Sequence, residues 1–273
     1  MSSDTTTDQD LDVQEIRLGL ETEGIIARKG AFSPAWVQQV REDVDAAFEE
    51  ARSREGGAVG RGPNRWYVEI HPEALRGFVE LVDHPWVRTV CETVLGPDYL
   101  IVEIGFDTPF PGATLQPWHR DFPSPPETRD EHRLTSLAFN LTTVDTTEEM
   151  GPFEIAPGTQ WDRGDDFDHE QFPPQASYDR YEGLATRKYP SVGDISARSA
   201  LTVHRGTPNR PRSPARCWCS GSTHRVPATT PTTTWPSPRA SGRACPSGFA
   251  TTCAAPWSTS SRPSPRSTTS RGW

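Results

Sequence analysis

The chain predicts a mainly β domain with packed helices, an antiparallel sandwich or barrel, and three observations carry that expectation. Segments with helical spacing come first and segments with strand alternation follow. Turn-forming clusters at Pro109 to Gly112, Pro123 to Pro126 and Pro157-Gly158 separate the strand candidates. The 273 residues suffice for one large domain or two small ones, and every one of the 37 acids falls within the first 210. Helices before strands argue against a parallel alternating fold.

Residues 1–17 are Ser/Thr/Asp-rich at their start and read as a flexible leader. The first ordered element is expected near Leu18, where Leu20, Ile25 and Ile26 flank Gly24 in a short strand. Ser33 is an N-cap with Pro34 behind it, and Val37, Val40, Val44, Ala47 and Phe48 fall on one face of a helix running to about Arg52. Gly56 to Pro63 is glycine-rich and lacks the context of a phosphate loop, so a plain connection is expected. From Pro72 to Leu95 the apolar spacing gives two helices broken at His84-Pro85 and stopped by Gly96. Strands are expected from Tyr99 through Gly105, then at Thr114 to His119, Ser136 to Val144, Phe153 to Ala156 and Ala200 to His204. Residues 162–183 form a long polar insertion, either an active-site lid or a solvated surface loop.

The first 210 residues hold 20 of the 28 bases against all 37 acids. So acidic a body disfavours nucleic acid, whose backbone requires a basic stripe. No apolar run approaches the roughly 18 residues of a membrane span. With no basic and apolar blocks at its N-terminus, the chain reads as cytoplasmic. Cys91, the one cysteine before the last 63 residues, builds no disulfide framework.

The sharpest chemical signal is Trp118-His119-Arg120-Asp121. On a strand, residues i and i+2 share a face, so His119 and Asp121 can offer a nitrogen and a carboxylate oxygen to one metal ion. His204 follows the apolar run from Ala200 and precedes the turn Gly206-Thr207-Pro208, so a strand end delivers it. Two histidines and one carboxylate make the facial triad of non-haem iron oxygenases, which leaves three positions open. Taken bare, the spacing leaves open a surface or core role for His119, and Zn(II) hydrolysis with the same ligands. Gln116 and Asn140 lie on candidate core strands as possible partners of a cosubstrate, with turn or rim positions as the alternative. Trp118 is expected to pack against the barrel, and Arg120 to face solvent or a neighbouring acid.

The series Gln116-Pro117-Trp118-His119-Arg120-Asp121, Glu149 to Gln160, Gly193-Asp194-Ile195 and Val203 to Asn209 resembles the phytanoyl-CoA dioxygenase family in order and spacing. The resemblance spans about Leu18 to Asn209. It implies a double-stranded β-helix, or jelly roll, with His119, Asp121 and His204 on Fe(II), 2-oxoglutarate as cosubstrate, O2 as oxidant and a small organic molecule as substrate. In relatives that halogenate, a small residue replaces the carboxylate, so Asp121 favours hydroxylation. The family places an Arg for the distal carboxylate of 2-oxoglutarate about eleven residues after its second histidine, and position 215 here is alanine. A catalytically impaired jelly-roll binding or sensing protein is therefore the alternative function, and the oligomeric state is not legible.

Residues 211–273 differ from the body in kind. They hold 8 Arg, 23 Ser and Thr, 10 Pro and 4 Cys, with no acid. A shifted reading frame explains this. When each codon is taken as the third base of one displayed codon plus the first two of the next, Cys217-Trp218 must give Leu and Trp218-Cys219 must give Val. With G/C-ending codons the shifted run from Pro214 onward becomes an apolar strand whose opening Arg falls on the missing position. The expected organisation is thus a leader at 1–17, a truncated jelly-roll oxygenase domain at 18–210 and an out-of-frame, disordered tail at 211–273.

Overall fold

The computed structural model describes residues 13–210 and the backbone of residues 221–224. Four main helices come early. α1 (Val13–Thr22) begins inside the expected leader, because Ile16 and Leu20 bury one turn apart. Leu20 thus belongs to a helix, and the strand β1 (Ile25–Arg28) begins only after Gly24 turns the chain at a φ of 74°.

α2 (Pro34–Ser53) starts as its sequence requires: the Ser33 hydroxyl accepts from the Trp36 N–H at 3.3 Å. Val37, Val40, Val44 and Phe48 are all buried along one stripe. The Gly56 to Pro63 connection contains a two-residue strand, β2 (Val59–Gly60), paired with β3 (Arg65–Glu69). α3 (Phe78–Val82) and α4 (Pro85–Leu95) break at His84, which caps α4 by accepting the Trp86 N–H on its Nδ1.

The remaining strands are β4 (Leu100–Pro109), β5 (Ser136–Leu141), β6 (Phe153–Ile155), β7 (Thr186–Arg187), β8 (Ile195–Ser199), β9 (His204–Gly206) and β10 (Gly221–His224). α5 (Pro126–Glu131) and α6 (Tyr178–Leu184) lie between them. A large sheet has the order β1-β8-β5-β10-β4-β3-β2 and a small one β7-β6-β9, with every pairing antiparallel. The architecture is mainly β with packed helices, a double-stranded β-helix.

Alternation sorts the side chains of the large sheet. Ile104 and Phe106 of β4, Leu137, Phe139 and Leu141 of β5, and Ile195 and Ala197 of β8 join one apolar core with Val40, Val44, Trp86 and Val90 from the helices. Each fully buried side chain of this size contributes about 1.5–3 kcal/mol relative to exposure. The other phase of the same strands faces the small sheet and is polar.

Two strand expectations change. Thr114 to His119 forms no continuous ladder: Gln116 donates to the Gly206 carbonyl and His119 bridges to His204, but Pro117 between them offers no N–H. Ala200 to Val203 forms the turn between β8 and β9, where the Thr202 N–H meets the Ser199 carbonyl at 3.1 Å. Ala200, Leu201 and Val203 are apolar because the chain there crosses from one sheet to the other through the interior, and the buried Thr202 hydroxyl donates to the Gly24 carbonyl at 3.2 Å. The tail expected to be disordered lies outside the described residues except for β10, which pairs with β4 on one side and β5 on the other. Backbone groups alone make those pairings, so Gly221–His224 forms a strand despite its polar composition.

Candidate metal centre

The pairing of two backbone segments builds the centre. His119 and His204 sit directly opposite one another in an antiparallel bridge, with His119 N–H on the His204 carbonyl at 3.0 Å and the reverse bond at 2.8 Å. Directly opposed residues project to the same side, and the two imidazole centroids lie 4.4 Å apart. Asp121, two residues on, projects the same way, its N–H fixed by the Ala200 carbonyl at 2.9 Å. One ligand atom from each of His119, Asp121 and His204 falls within 4.8 Å of the others.

Tautomers follow from the backbone. Nδ1 of His119 donates to the Pro117 carbonyl and Nδ1 of His204 to the Thr202 carbonyl, each at 2.9 Å. That leaves both Nε2 lone pairs free for a cation. Burial, reinforced by the neighbouring His204, pushes the His119 pKa down to about 3. Burial, with Arg198 adding to it, lowers that of His204. For Asp121 burial opposes ionisation, yet the Arg198 guanidinium overcomes it and holds the carboxyl well below the usual carboxylate range. At neutral pH the centre offers two neutral imidazoles and one carboxylate. That donor set fits a divalent cation such as Fe(II).

The cleft around the three ligands is open to solvent and has a volume of about 170 Å³. Gln116 and Asn140 both line it. Gln116 is tied at both ends to Gly206: its N–H meets the Gly206 carbonyl at 3.0 Å, and its side-chain oxygen accepts the Gly206 N–H at 2.8 Å. The Asn140 Oδ1 is buried without a hydrogen-bond partner.

Sequence reasoning missed the far wall. Arg65 and Tyr67 of β3, Glu103 and Asp107 of β4, and Arg198 of β8 all reach the cleft. Arg65 donates to Asp107 at 2.6 Å and to the Thr207 carbonyl at 3.0 Å, while the Tyr67 hydroxyl donates to Glu103. The available signal was the phase: these residues alternate with Trp66, Val68, Ile104, Phe106 and Ala197, which pack in the helix-side core. A polar residue between two such core residues must face the second layer.

Arg120 is a correction. It is 1% exposed, not solvated, because the loop at 162–172 folds over it. Its guanidinium donates to the carbonyls of Glu170, Asp162 and Arg163 at 2.9, 2.9 and 3.3 Å and lies over the Phe167 ring. Gln171 completes the attachment by donating to the Asp121 carbonyl at 2.6 Å. The polar insertion is therefore fastened to the segment between two candidate ligands. Trp118 packs as expected, fully buried with Tyr181 and Val203.

Residues 20–217 match the family described as Phytanoyl-CoA dioxygenase (PhyH). Among solved structures, EctD from S. alaskensis, crystallised with 2-oxoglutarate and 5-hydroxyectoine, is similar at a TM-score of 0.63 and 14% identity, over 81% of this chain and 78% of that one. The 2-oxoglutarate-dependent carbocyclase SnoK from nogalamycin biosynthesis is similar at 0.59 and 20%, over 79% and 84%. HygX from Streptomyces hygroscopicus, with nickel and 2-oxoglutarate bound, is similar at 0.58 and 14%, over 77% and 86%. At these identities the likeness is one of fold.

Proposed function

The chain belongs to the phytanoyl-CoA dioxygenase family of Fe(II)- and 2-oxoglutarate-dependent oxygenases, and from that premise we propose that it hydroxylates a small organic substrate, with His119, Asp121 and His204 as the iron ligands. The observation that supports this most is the convergence of those three donors within 4.8 Å, both imidazoles presenting an unprotonated Nε2 to one point. When bound, Fe(II) with 2-oxoglutarate and O2 supplies the oxidising power, and 2-oxoglutarate leaves as succinate and CO2.

The protein's own part is geometric. The Pro117 and Thr202 carbonyls hold the imidazoles in their ligating tautomers. Asn140 and Gln116 offer amide groups to the cosubstrate from opposite walls. Phe122 and Phe153 line the cleft and exclude water beside the ligands. The substrate is expected to be polar, since the far wall presents Arg65, Tyr67, Glu103 and Asp107 rather than an apolar slot.

The second reading, binding without turnover, is favoured by Ala215 and the aberrant composition of residues 211–273. Measuring 2-oxoglutarate-dependent succinate release with added Fe(II) tests both: release that H119A abolishes supports the oxygenase, and no release supports the binding protein. For the tail we keep the shifted frame as a proposal. It is supported by the family match ending at residue 217, seven residues past the compositional break. Restoring the frame returns an Arg for the distal carboxylate and is expected to tighten 2-oxoglutarate binding roughly a hundredfold. An uninterrupted frame in the source DNA would sink the proposal.

A further inference from the structure

A carboxylate can bind a metal ion through one oxygen or two, and in a two-histidine, one-carboxylate centre the difference matters. One oxygen leaves three of six positions open; two leave only two, enough for a chelating cosubstrate but not for dioxygen as well. Nothing in the ligand set itself settles which form Asp121 adopts. Its surroundings divide the two oxygens.

Oδ1 lies 3.4 Å from the His204 Nε2, on the side where the three ligands converge. Oδ2 lies 2.8 Å from the Nη2 of Arg198 and is buried. Arg198 is 4% exposed. It sits on β8 opposite Ala138 of β5 and Ile25 of β1, and the small Ala138 leaves room for its side chain over the inner face. Its guanidinium lies 5.4 Å from the Phe153 ring, and its Nε has no hydrogen-bond partner. Among the described residues, Asp121 is the only acid paired with Arg198, and no other arginine or lysine pairs with Asp121. Arg198 is buried and Asp121 is its one acidic partner among the described residues, so the guanidinium does not leave the pair cheaply.

We propose that Arg198 is a positioning residue that holds Asp121 to one-oxygen ligation and so keeps a third coordination position open for dioxygen. The proposal rests on His119, Asp121 and His204 being the metal ligands.

The test uses the full chain, anaerobically loaded with Fe(II) and 2-oxoglutarate and titrated with nitric oxide, which binds Fe(II) where dioxygen would without starting turnover, read by electron paramagnetic resonance. Wild type is expected to take nitric oxide. R198M is expected to retain Fe(II) and 2-oxoglutarate but to bind nitric oxide roughly tenfold more weakly or not at all, and R198K to recover most of the signal. Wild-type nitric oxide binding by R198M overturns the proposal. So does a joint loss of Fe(II), 2-oxoglutarate and nitric oxide, which marks a scaffold role. Should R198M fail to fold, R198K decides: a folded R198K that holds Fe(II) and 2-oxoglutarate yet refuses nitric oxide also overturns it. H119A separates the two levels, because Fe(II) binding that survives in H119A removes the ligand assignment itself, and this proposal with it.

Discussion

An imidazole donates to a cation only through a nitrogen that carries no proton, so the fate of the other nitrogen decides whether a histidine is a ligand. His119 and His204 solve this identically, each donating its Nδ1–H to the carbonyl two residues back. Replacing either by alanine is expected to weaken Fe(II) binding by at least about a hundredfold, measured by calorimetry on the metal-free protein, without changing its far-UV circular dichroism. Replacement by glutamine tests the donor rather than the volume and should behave nearly as badly. Glycine is demanded at one nearby position: Gly164 has a φ of 70°, and a Cβ there would stand 2.1 Å from the Arg120 Nη2. G164A is expected to cost about 1–3 kcal/mol in urea unfolding, from backbone strain and displacement of the guanidinium together.

At the scale of elements, the loop at 162–172 and the segment carrying His119 and Asp121 act as one piece. Arg120 satisfies three loop carbonyls, Gln171 bonds back to Asp121, and Phe172 stacks on His119 with ring centroids 6.0 Å apart. R120M leaves those carbonyls without their donor and is expected to lower stability by roughly 3 kcal/mol. Limited proteolysis should then cut first within 162–172, and wild-type resistance there would refute the coupling. Sequence could not disclose this. Arg120 alternates away from the ligands, so strand logic placed it outside, but the outside of that segment is covered by residues some 50 positions downstream. The same alternation did disclose the ligand pair, because His119 and Asp121 are two apart and no distant chain segment alters which side they share.

Over the whole molecule, two interiors of opposite character flank one sheet. The helix side is apolar, whereas the cleft side holds paired charges, and a further network backs the small sheet. Arg205 there donates to Glu154 at 2.6 Å and to both oxygens of Glu182 at 2.7 and 2.8 Å, while Arg187 reaches Glu154 at 3.0 Å. The hydrogen bonds from Arg205 hold the Glu182 pKa below its ordinary value. A lowered carboxyl pKa stabilises the fold above the unfolded-state value, and that contribution is lost as pH falls through the folded one. E182Q should therefore melt lower than wild type at about pH 7, and the gap should close as pH drops through the carboxylate range. A gap independent of pH would assign the effect to packing.

What the amino-acid order determined by itself was local: the helix capped at Ser33, the helix break at His84-Pro85, the two-residue step from His119 to Asp121, and the break in composition after residue 210. These depend on neighbours within a few positions, whose geometry the backbone dictates. Only the tertiary structure decided that His204 lies opposite His119, that Arg198 faces Asp121, and that Arg65, Tyr67, Glu103 and Asp107 share a wall with them. The first two of those meetings join residues 85 and 77 positions apart. Which distant strands lie side by side is set by how the two sheets bury their apolar phases together, and no window of sequence contains that information.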